Sequence, residues 1–256
     1  MFIHNEDELM AWGEKLGALL QKQDVLILTG DLGAGKTTLI NLLMRFYDPQ
    51  SGSISIDGIN TQTMDRSYLR SLYGMVLQDT WLFKGTIRDN IAYGSNNATD
   101  EEIWDALTTA QAREIVENKD GQLDFKLEQN GRNLSGGQRQ RLTIARAVVK
   151  KPEFLILDDS ASALDFATDA ALRRSLHQLS GNVTTFLVSQ RAASIRQADL
   201  ILVLDDGELV GKGIHDDLIR TCDTYREIYF SQFPEEREKY NTSNTAVSVN
   251  ASEVTL

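Results

Sequence analysis

The sequence predicts an α/β fold in which a largely parallel sheet is flanked by helices. Short, continuous apolar runs indicate strands that are buried on both faces, and these runs occupy residues 25–29, 155–157, 185–188 and 200–204. Helical stretches alternate with the runs, as is typical of parallel strands joined by crossover helices. Asp-Gly pairs at 57–58 and 206–207 predict two antiparallel hairpins at the edge of the sheet.

Composition and charge exclude several classes of protein. Of the 256 residues, 41% are hydrophobic and 25% are charged, which is typical of a folded globular protein. No apolar run approaches the roughly 18 to 20 residues needed to cross a bilayer, and the acidic start does not resemble a secretory signal. The net charge of −11 repels nucleic acid and anionic lipid. Cys222 is the only cysteine, which excludes an intrachain disulfide and favours a cytoplasmic location.

From these signals we expect four regions along the chain. They are an opening helix, strand and glycine-rich loop (1–39), an α/β core (40–78 and 150–233), an inserted α-helical subdomain (79–149) and a disordered tail (234–256). Asn5 begins the predicted opening helix, and Thr99 with Glu102 predicts a capping box in the subdomain. The tail prediction rests on composition, which turns from charged residues to Asn, Thr, Ser and Val without any period.

A phosphate-binding loop directly follows the first predicted strand. Its residues fit the pattern G-x-x-x-x-G-K-[ST] and are Gly30, Asp31, Leu32, Gly33, Ala34, Gly35, Lys36 and Thr37, with Thr38 at the start of the next helix. In such a loop, backbone N–H groups close on the α- and β-phosphates, Lys36 reaches the β- and γ-phosphates, and Thr37 ligates Mg²⁺. The alternative is a glycine-rich strand-to-helix turn without a ligand.

Two acidic residues end a later apolar run. Asp158 and Asp159 follow residues 154–157, which read as a buried strand. A carboxylate at the carboxyl end of a strand beside a phosphate-binding loop can hold Mg²⁺ through water, and a second carboxylate can orient the attacking water. Without the loop, such a pair would more often be structural. With it, the pair predicts a magnesium site.

The most specific motif stands at the start of a predicted helix. It comprises Leu134, Ser135, Gly136, Gly137 and Gln138, and its glycines expose backbone donors to an anion. With this motif the sequence resembles the nucleotide-binding domain of ATP-binding cassette (ABC) transporters, whose signature is LSGGQ. The resemblance covers about 33–233 and further includes Gln78 in the Q-loop, Asp158 in the Walker B motif, Ser162-Ala163-Leu164-Asp165 in the D-loop, and Gln190 at the switch position.

The resemblance implies ATP and Mg²⁺ as cofactors. The implied metal site is Thr37, Gln78 and Asp158, and the implied catalytic residues are Asp159, Gln190 and Gln78. In this family two nucleotide-binding domains pair head to tail, each signature completing the ATP site of the other. Transmembrane domains on a separate chain are the second implied partner, which would place this chain at the cytoplasmic face of the membrane. Residues 46–49 and 85–91 resemble the exporter branch in particular.

Two departures from the family pattern predict slow hydrolysis. Asp159 stands where the family has a catalytic Glu, and Gln190 stands where it has a His. Asp is shorter by about 1.5 Å, and Gln donates a hydrogen bond but gains no proton at neutral pH. Loss of a positioned base costs about 10²- to 10⁴-fold in rate. The pattern is similar to the degenerate subunit of heterodimeric exporters, whose intact signature serves the competent site of the partner.

The first 39 residues resemble a different family. The opening helix and the loop are similar to the start of TsaE, the small ATPase of bacterial tRNA threonylcarbamoyladenosine synthesis, although no H-x-D-x-Y-R segment follows. No aromatic A-loop residue in an ABC-like context precedes the loop. The chain therefore resembles two proteins joined within residues 33–39. A TsaE-like ATPase, the one case in which a nucleic-acid partner is expected, and a non-functional fusion are the alternative hypotheses.

Overall fold

The computed structural model describes residues 25–29, 35–95, 97–159, 163–178, 183–189, 191–237 and 240. Its strands are β1 (Val25–Thr29), β2 (Ser55–Ile56), β3 (Ile59–Asn60), β4 (Tyr73–Val76), β5 (Gly85–Thr86), β6 (Lys126–Leu127), β7 (Phe154–Asp158), β8 (Thr184–Val188), β9 (Leu200–Asp205) and β10 (Glu208–Gly213). Its helices are α1 (Lys36–Leu43), α2 (Arg66–Ser71), α3 (Ile87–Ala92), α4 (Asp100–Thr109), α5 (Arg113–Glu117), α6 (Gly136–Val148), α7 (Phe166–His177), α8 (Ala192–Ile195), α9 (His215–Thr221) and α10 (Asp223–Gln232). None of these helices is both long and apolar enough to cross a membrane.

A six-stranded sheet in the order β10-β9-β1-β8-β7-β4 forms the centre of the fold. The pairs from β9 through β4 are parallel, and only the edge strand β10 runs antiparallel to its neighbour. Ile27 in β1 pairs with Leu187 on one side and Ile201 on the other. The predicted α/β fold with a largely parallel sheet is therefore confirmed.

The sheet is buried on both faces because its apolar residues alternate between two clusters. Ile27 packs with one cluster and Leu28 with the other, and Leu155 and Ile156 divide in the same way. Each of these four side chains is at most 1% exposed. Continuous apolar runs are what such a doubly covered sheet requires, which is why the sequence signal for these strands was clear.

One strand of the sheet and the place of one hairpin differ from the sequence prediction. Strand β4 was not predicted, because Tyr73–Val76 is only four residues long and contains a glycine. The β2–β3 hairpin forms at the predicted Asp-Gly turn but makes its own two-stranded sheet and does not edge the main one. The β9–β10 hairpin does form the edge of the main sheet, as predicted.

Helices fill most of the chain between β4 and β7. The predicted capping box is present at the start of α4, where Glu102 N–H donates to Thr99 Oγ1 at 3.3 Å and Thr99 N–H donates to Glu102 Oε2 at 3.0 Å. Buried residues of α3, α4 and α6 belong to the same apolar cluster as Leu155 and Ile201 of the sheet. This helical segment is thus packed on the sheet, and the region boundaries given above stay predictions.

The carboxyl-terminal segment differs from the disordered tail expected from 234 onward. Residues 234–237 are helical, and the Tyr229 hydroxyl donates to Glu236 Oε2 at 2.7 Å. The Tyr240 ring lies 5.8 Å from the ring of Phe230. These aromatic contacts anchor a stretch whose composition alone indicated disorder. The rest of the tail, and the opening helix predicted from Asn5, lie outside the described residues.

We expect Gly74→Ala to destabilise the fold by about 1 to 3 kcal/mol, because it overpacks the contact between β4 and the end of α6. A Cβ atom at Gly74 would stand 2.8 Å from the Ala147 carbonyl oxygen and 2.9 Å from Pro152 Cγ. Urea unfolding measures the loss. The matched control is Gly136→Ala, whose nearest neighbour, Ala163 Cβ, is 3.7 Å away. Equal stability of the two variants would contradict this account of β4.

Candidate nucleotide-binding site

Four of the five parallel strands lead into candidate site residues at one edge of the sheet. The glycine-rich loop comes after β1, Gln78 after β4 and Asp159 after β7, while Ser189 follows β8. The strands β7 and β8 end level with each other, since Asp158 pairs with Val188. Because open α/β sheets bind ligands at the carboxyl ends of their strands, this edge is the candidate site.

Helix α1 begins at Lys36, directly after the glycine-rich loop. Gly35 caps it with φ of +88°, a left-handed conformation that glycine adopts without strain. The first turn contains no acidic residue, and Thr37 and Thr38 are exposed. The N–H groups of this turn and the positive end of the helix are therefore suited to an anion. Residues 30–34 lie outside the described residues, and their phosphate contacts stay predictions.

Asp158 and Asp159 place two carboxyl groups at the end of β7. Burial raises the pKa of Asp158, which is 8% exposed; the Asp159 carboxyl raises it further, and the Lys36 ammonium lowers it. Burial also raises the pKa of Asp159, against the lowering effect of Arg191 and Lys36. The pKa directions show that Lys36 acts on both carboxyl groups. The loop lysine and the acidic pair thus form one charge cluster.

The donor set at this edge fits Mg²⁺ bound together with phosphate. Within the described ranges there is no group of three or more His, Cys, Asp and Glu residues that could hold a metal alone. Mg²⁺ is usually held by one or two carboxylates, waters and substrate phosphates. A carboxyl pair with raised pKa values, one member buried and the other half-buried, would be stabilised in its ionised form by such a cation. Asp158 and the hydroxyl of Thr37 are the residues suited to hold it.

The backbone of Asp159 has a left-handed conformation and is held by a hydrogen bond to β8. Its φ is +43°, in the left-handed region that Asp tolerates better than most residues. Its N–H donates to the Val188 carbonyl oxygen of β8 at 3.0 Å. The predicted water-orienting carboxyl is thus attached to two strands of the sheet. The other predicted departure from the family, Gln190, lies outside the described residues.

Gln78 is exposed and stands two residues beyond the end of β4. In the parallel β4–β7 pair, Val76 is opposite Leu157, the residue before Asp158. The sheet register therefore brings Gln78 to the same edge as the acidic pair. Its predicted contacts with Mg²⁺ and with the attacking water stay predictions.

The signature motif forms the start of α6. Ser135 caps the helix: its Oγ accepts from Gln138 N–H at 3.3 Å, and its own N–H donates to Gln138 Oε1 at 3.1 Å. Leu134 is buried while Ser135 is exposed. A Cβ atom at Gly137 would come within 3.0 Å of the Ala163 carbonyl oxygen, so glycine permits this close approach. The signature and the D-loop are therefore packed together in one chain.

The D-loop leads into α7, which Asp165 caps. The Asp165 carboxyl accepts from Thr168 N–H at 2.9 Å and from Thr168 Oγ1 at 2.8 Å, and these bonds lower its pKa. Gln140 Oε1 in α6 accepts a hydrogen bond from Ala163 N–H at 3.3 Å. Ser162 lies outside the described residues. The remaining D-loop residues are thus held between the signature helix and α7.

Arg191 belongs to the site but was not predicted from the sequence. Arg191 is the residue after the switch position, its charge lowers the pKa of Asp159, and it donates a hydrogen bond to the Leu164 carbonyl oxygen at 3.1 Å. A basic residue beside a predicted catalytic position was the available signal. Two further apolar side chains lie on the surface: Trp81 is 49% and Phe83 42% exposed, whereas Leu82 between them is buried.

This chain belongs to the ABC transporter family. The family model described as ABC transporter matches residues 14–162, more than half of the chain. The match includes the strand and loop of the segment that resembles TsaE, and the comparisons give no support to a TsaE relationship or to a chimera. The nucleotide-binding fold expected from the signature motif is confirmed.

Relatives and a solved structure agree with this family. The chain is 44% identical over 214 residues to the uncharacterized ABC transporter ATP-binding protein YwjA of Bacillus subtilis (strain 168), covering 84% of this chain and 37% of YwjA. It is 48% identical over 192 residues to the beta-(1→2)glucan export ATP-binding/permease protein NdvA of Bartonella bacilliformis, covering 75% of this chain and 32% of NdvA. A bacterial Atm1-family ABC exporter solved with ATP bound has a TM-score of 0.80 and 37% identity, over 82% of this chain and 37% of that one. The chain thus spans about a third of the length of these proteins.

We expect Lys36→Ala to weaken Mg-ATP binding at least about 10-fold, or roughly 1.4 kcal/mol, because it removes the ammonium at the start of α1 that is predicted to reach the β- and γ-phosphates. Isothermal titration calorimetry measures the affinity. Lys84→Ala, at an exposed lysine that is not one of the predicted site residues, is the control and should bind as the parent does. A folded Lys36→Ala chain with unchanged affinity would show that the loop does not bind phosphate.

Proposed function

We propose that this chain is the ATP-binding and slowly hydrolysing module of an ABC-type exporter. The observation that carries the proposal is the charge cluster at the carboxyl edge of the sheet, where Lys36 at the start of α1 acts on both Asp158 and Asp159. Membership of the ABC transporter family supports ATP as the nucleotide. Export is supported by two similar proteins, which are described as an export ATP-binding/permease protein and as an ABC exporter.

In the proposed mechanism the chain holds the phosphates with backbone donors and a lysine. The loop 30–38 surrounds the phosphates, and the Lys36 ammonium neutralises charge on the β- and γ-phosphates. Thr37, Gln78 and Asp158 are the residues that would hold Mg²⁺. When bound, Mg²⁺ supplies positive charge that stabilises the phosphoryl group during transfer. These residues need not differ between an efficient and a slow ATPase.

The rate is set by Asp159 and Gln190 in this proposal. Asp159 orients the attacking water and accepts its proton, and its carboxyl stands about 1.5 Å short of where a Glu carboxyl would reach. Gln190 donates a hydrogen bond to the γ-phosphate without gaining a positive charge. Both features favour bound ATP over rapid turnover. The chain then resembles the slow member of an unequal pair.

The proposed partner is a second nucleotide-binding domain, of this chain or of a related one. The exposed Ser135 hydroxyl and the first-turn N–H groups of α6 are suited to the γ-phosphate of an ATP held by the partner. Pairing head to tail completes both ATP sites. Transmembrane domains are the other proposed partner, contacted through the exposed Trp81 and Phe83 at the cytoplasmic face of the membrane.

We expect Asp159→Glu combined with Gln190→His to raise the rate of Mg-ATP hydrolysis by about 10-fold or more, equivalent to about 1.4 kcal/mol in the barrier. The longer carboxyl and the imidazole should act together, because both contact the same water and γ-phosphate. Phosphate release measures the rate for the double variant and for each single variant.

The matched control is Asp57→Glu. Asp57 also has a positive φ, of 50°, but lies in the exposed β2–β3 turn, and the same side-chain change there should leave the rate as it is in the parent. A double variant that binds Mg-ATP but hydrolyses it no faster than the parent would contradict the proposed roles of Asp159 and Gln190.

A further inference from the structure

Arg191 contacts a segment of the chain that lies far from it in sequence. Its Nη1 donates a hydrogen bond to the Leu164 carbonyl oxygen at 3.1 Å, and its guanidinium carbon lies 5.6 Å from the centre of the Phe166 ring. Both contacts are with residues 163–166, which we call the D-loop segment. One guanidinium thus makes a directed hydrogen bond and a cation–π contact to the same four residues.

The backbone of Arg191 is attached to the carboxyl end of the sheet. Its N–H donates to Ser189 Oγ at 3.0 Å, and Ser189 N–H donates to the Leu28 carbonyl oxygen of β1 at 3.1 Å. Ser189 is 3% exposed. Arg191 is also the residue that precedes α8. The guanidinium therefore contacts the D-loop segment while the Arg191 backbone is held, through Ser189, on the central strand β1.

Helix α7, which follows the D-loop segment, is bonded to α8, the helix that begins directly after Arg191. In α7, Asp169 is 3% exposed and pairs with Arg173, whose Nη2 lies 2.8 Å from Asp169 Oδ2. Arg173 Nη1 also donates to the Ala193 carbonyl oxygen in α8 at 3.0 Å. Helices α7 and α8 are thus joined by Arg173, and Arg191, which precedes α8, adds a second link through its contacts with Leu164 and Phe166.

Asp159 is also held by a hydrogen bond to the end of β8. Its N–H bonds to the carbonyl oxygen of Val188, the residue before Ser189, so both Asp159 and Arg191 depend on the end of β8. The positive charge of Arg191 lowers the pKa of Asp159. The D-loop segment, Arg191 and Asp159 therefore form one connected arrangement at the edge of the site.

We propose that Arg191 is a positioning residue that holds the D-loop segment beside Asp159, so that the rate of hydrolysis depends on its guanidinium while ATP affinity does not. The inference rests on the proposed function, because it concerns turnover at the site containing Asp159. It assigns the guanidinium a role in geometry at the reacting end of ATP, because its hydrogen bond to Leu164 and its contact with the Phe166 ring are both made to the D-loop segment.

The test compares Arg191→Gln with the parent and with Arg174→Gln, a matched change at an exposed arginine of α7. Single-turnover hydrolysis with protein in excess gives the rate constant, and calorimetric titration with Mg-ATP gives the affinity. We expect Arg191→Gln to lower the rate constant about 10-fold, since small displacements at a reacting site have effects of this size or larger. Its affinity should change less than about twofold, and Arg174→Gln should match the parent in both values.

Arg191→Lys separates positioning from charge. Lysine keeps the positive charge but lacks the planar fork, so we expect it to recover only part of the lost rate. A folded Arg191→Gln chain with the rate constant of the parent would overturn the inference. Equal losses of rate and affinity would also overturn it, because they would indicate general damage to the site.

If Arg191→Gln does not fold, Phe166→Ala replaces it in the same assay. The Phe166 ring is 74% exposed, so its removal leaves the core intact. We expect the rate constant to fall about 3-fold, the effect of losing an exposed cation–π contact, and an unchanged rate would overturn the inference. A parent chain that neither binds nor hydrolyses Mg-ATP would contradict the proposed function, and the inference with it.

Discussion

The site depends on one electrostatic constraint, the placement of a buried and a half-buried carboxyl group side by side at the end of β7. Burial favours the neutral form of Asp158 and Asp159, and the Lys36 ammonium opposes it from the start of α1. This opposition is possible only because β1 and β7 are parallel with β8 between them, so that their carboxyl ends lie at one edge. The topology of the sheet therefore supplies the charge balance on which nucleotide binding would depend.

Helices α1 and α6 each present a first turn that suits an anion. Helix α1 begins after the glycine-rich loop and α6 begins at the signature motif, and neither has an acidic residue in its first turn. The signature is packed against the D-loop of its own chain through Gly137 and Ala163. In the proposed head-to-tail pair, each of the two helix starts would bind a phosphate, which is why we regard the module as one half of a site.

The fold was largely predictable from sequence, because a sheet covered on both faces needs unbroken apolar strands such as 25–29 and 154–157. Strand β4 was not predicted, because four residues that include Gly74 are too few to show a pattern of apolar residues. Gly74 permits a close contact with the end of α6, which the sequence does not reveal. Of the site, the motifs identified Lys36, Asp158 and Ser135. Arg191 was missed because its contacts with Leu164 and Phe166 arise only in the folded chain.

The central claim, that two such modules form the working unit around ATP, is tested most directly by the mass of the chain in solution with and without Mg-ATP. Sedimentation equilibrium should show a 28.6 kDa species without nucleotide and a species of twice that mass with Mg-ATP. Ser135→Arg, which obstructs the signature, should abolish the shift. A chain that binds and hydrolyses Mg-ATP at its monomer mass, unaffected by Ser135→Arg, would contradict the account.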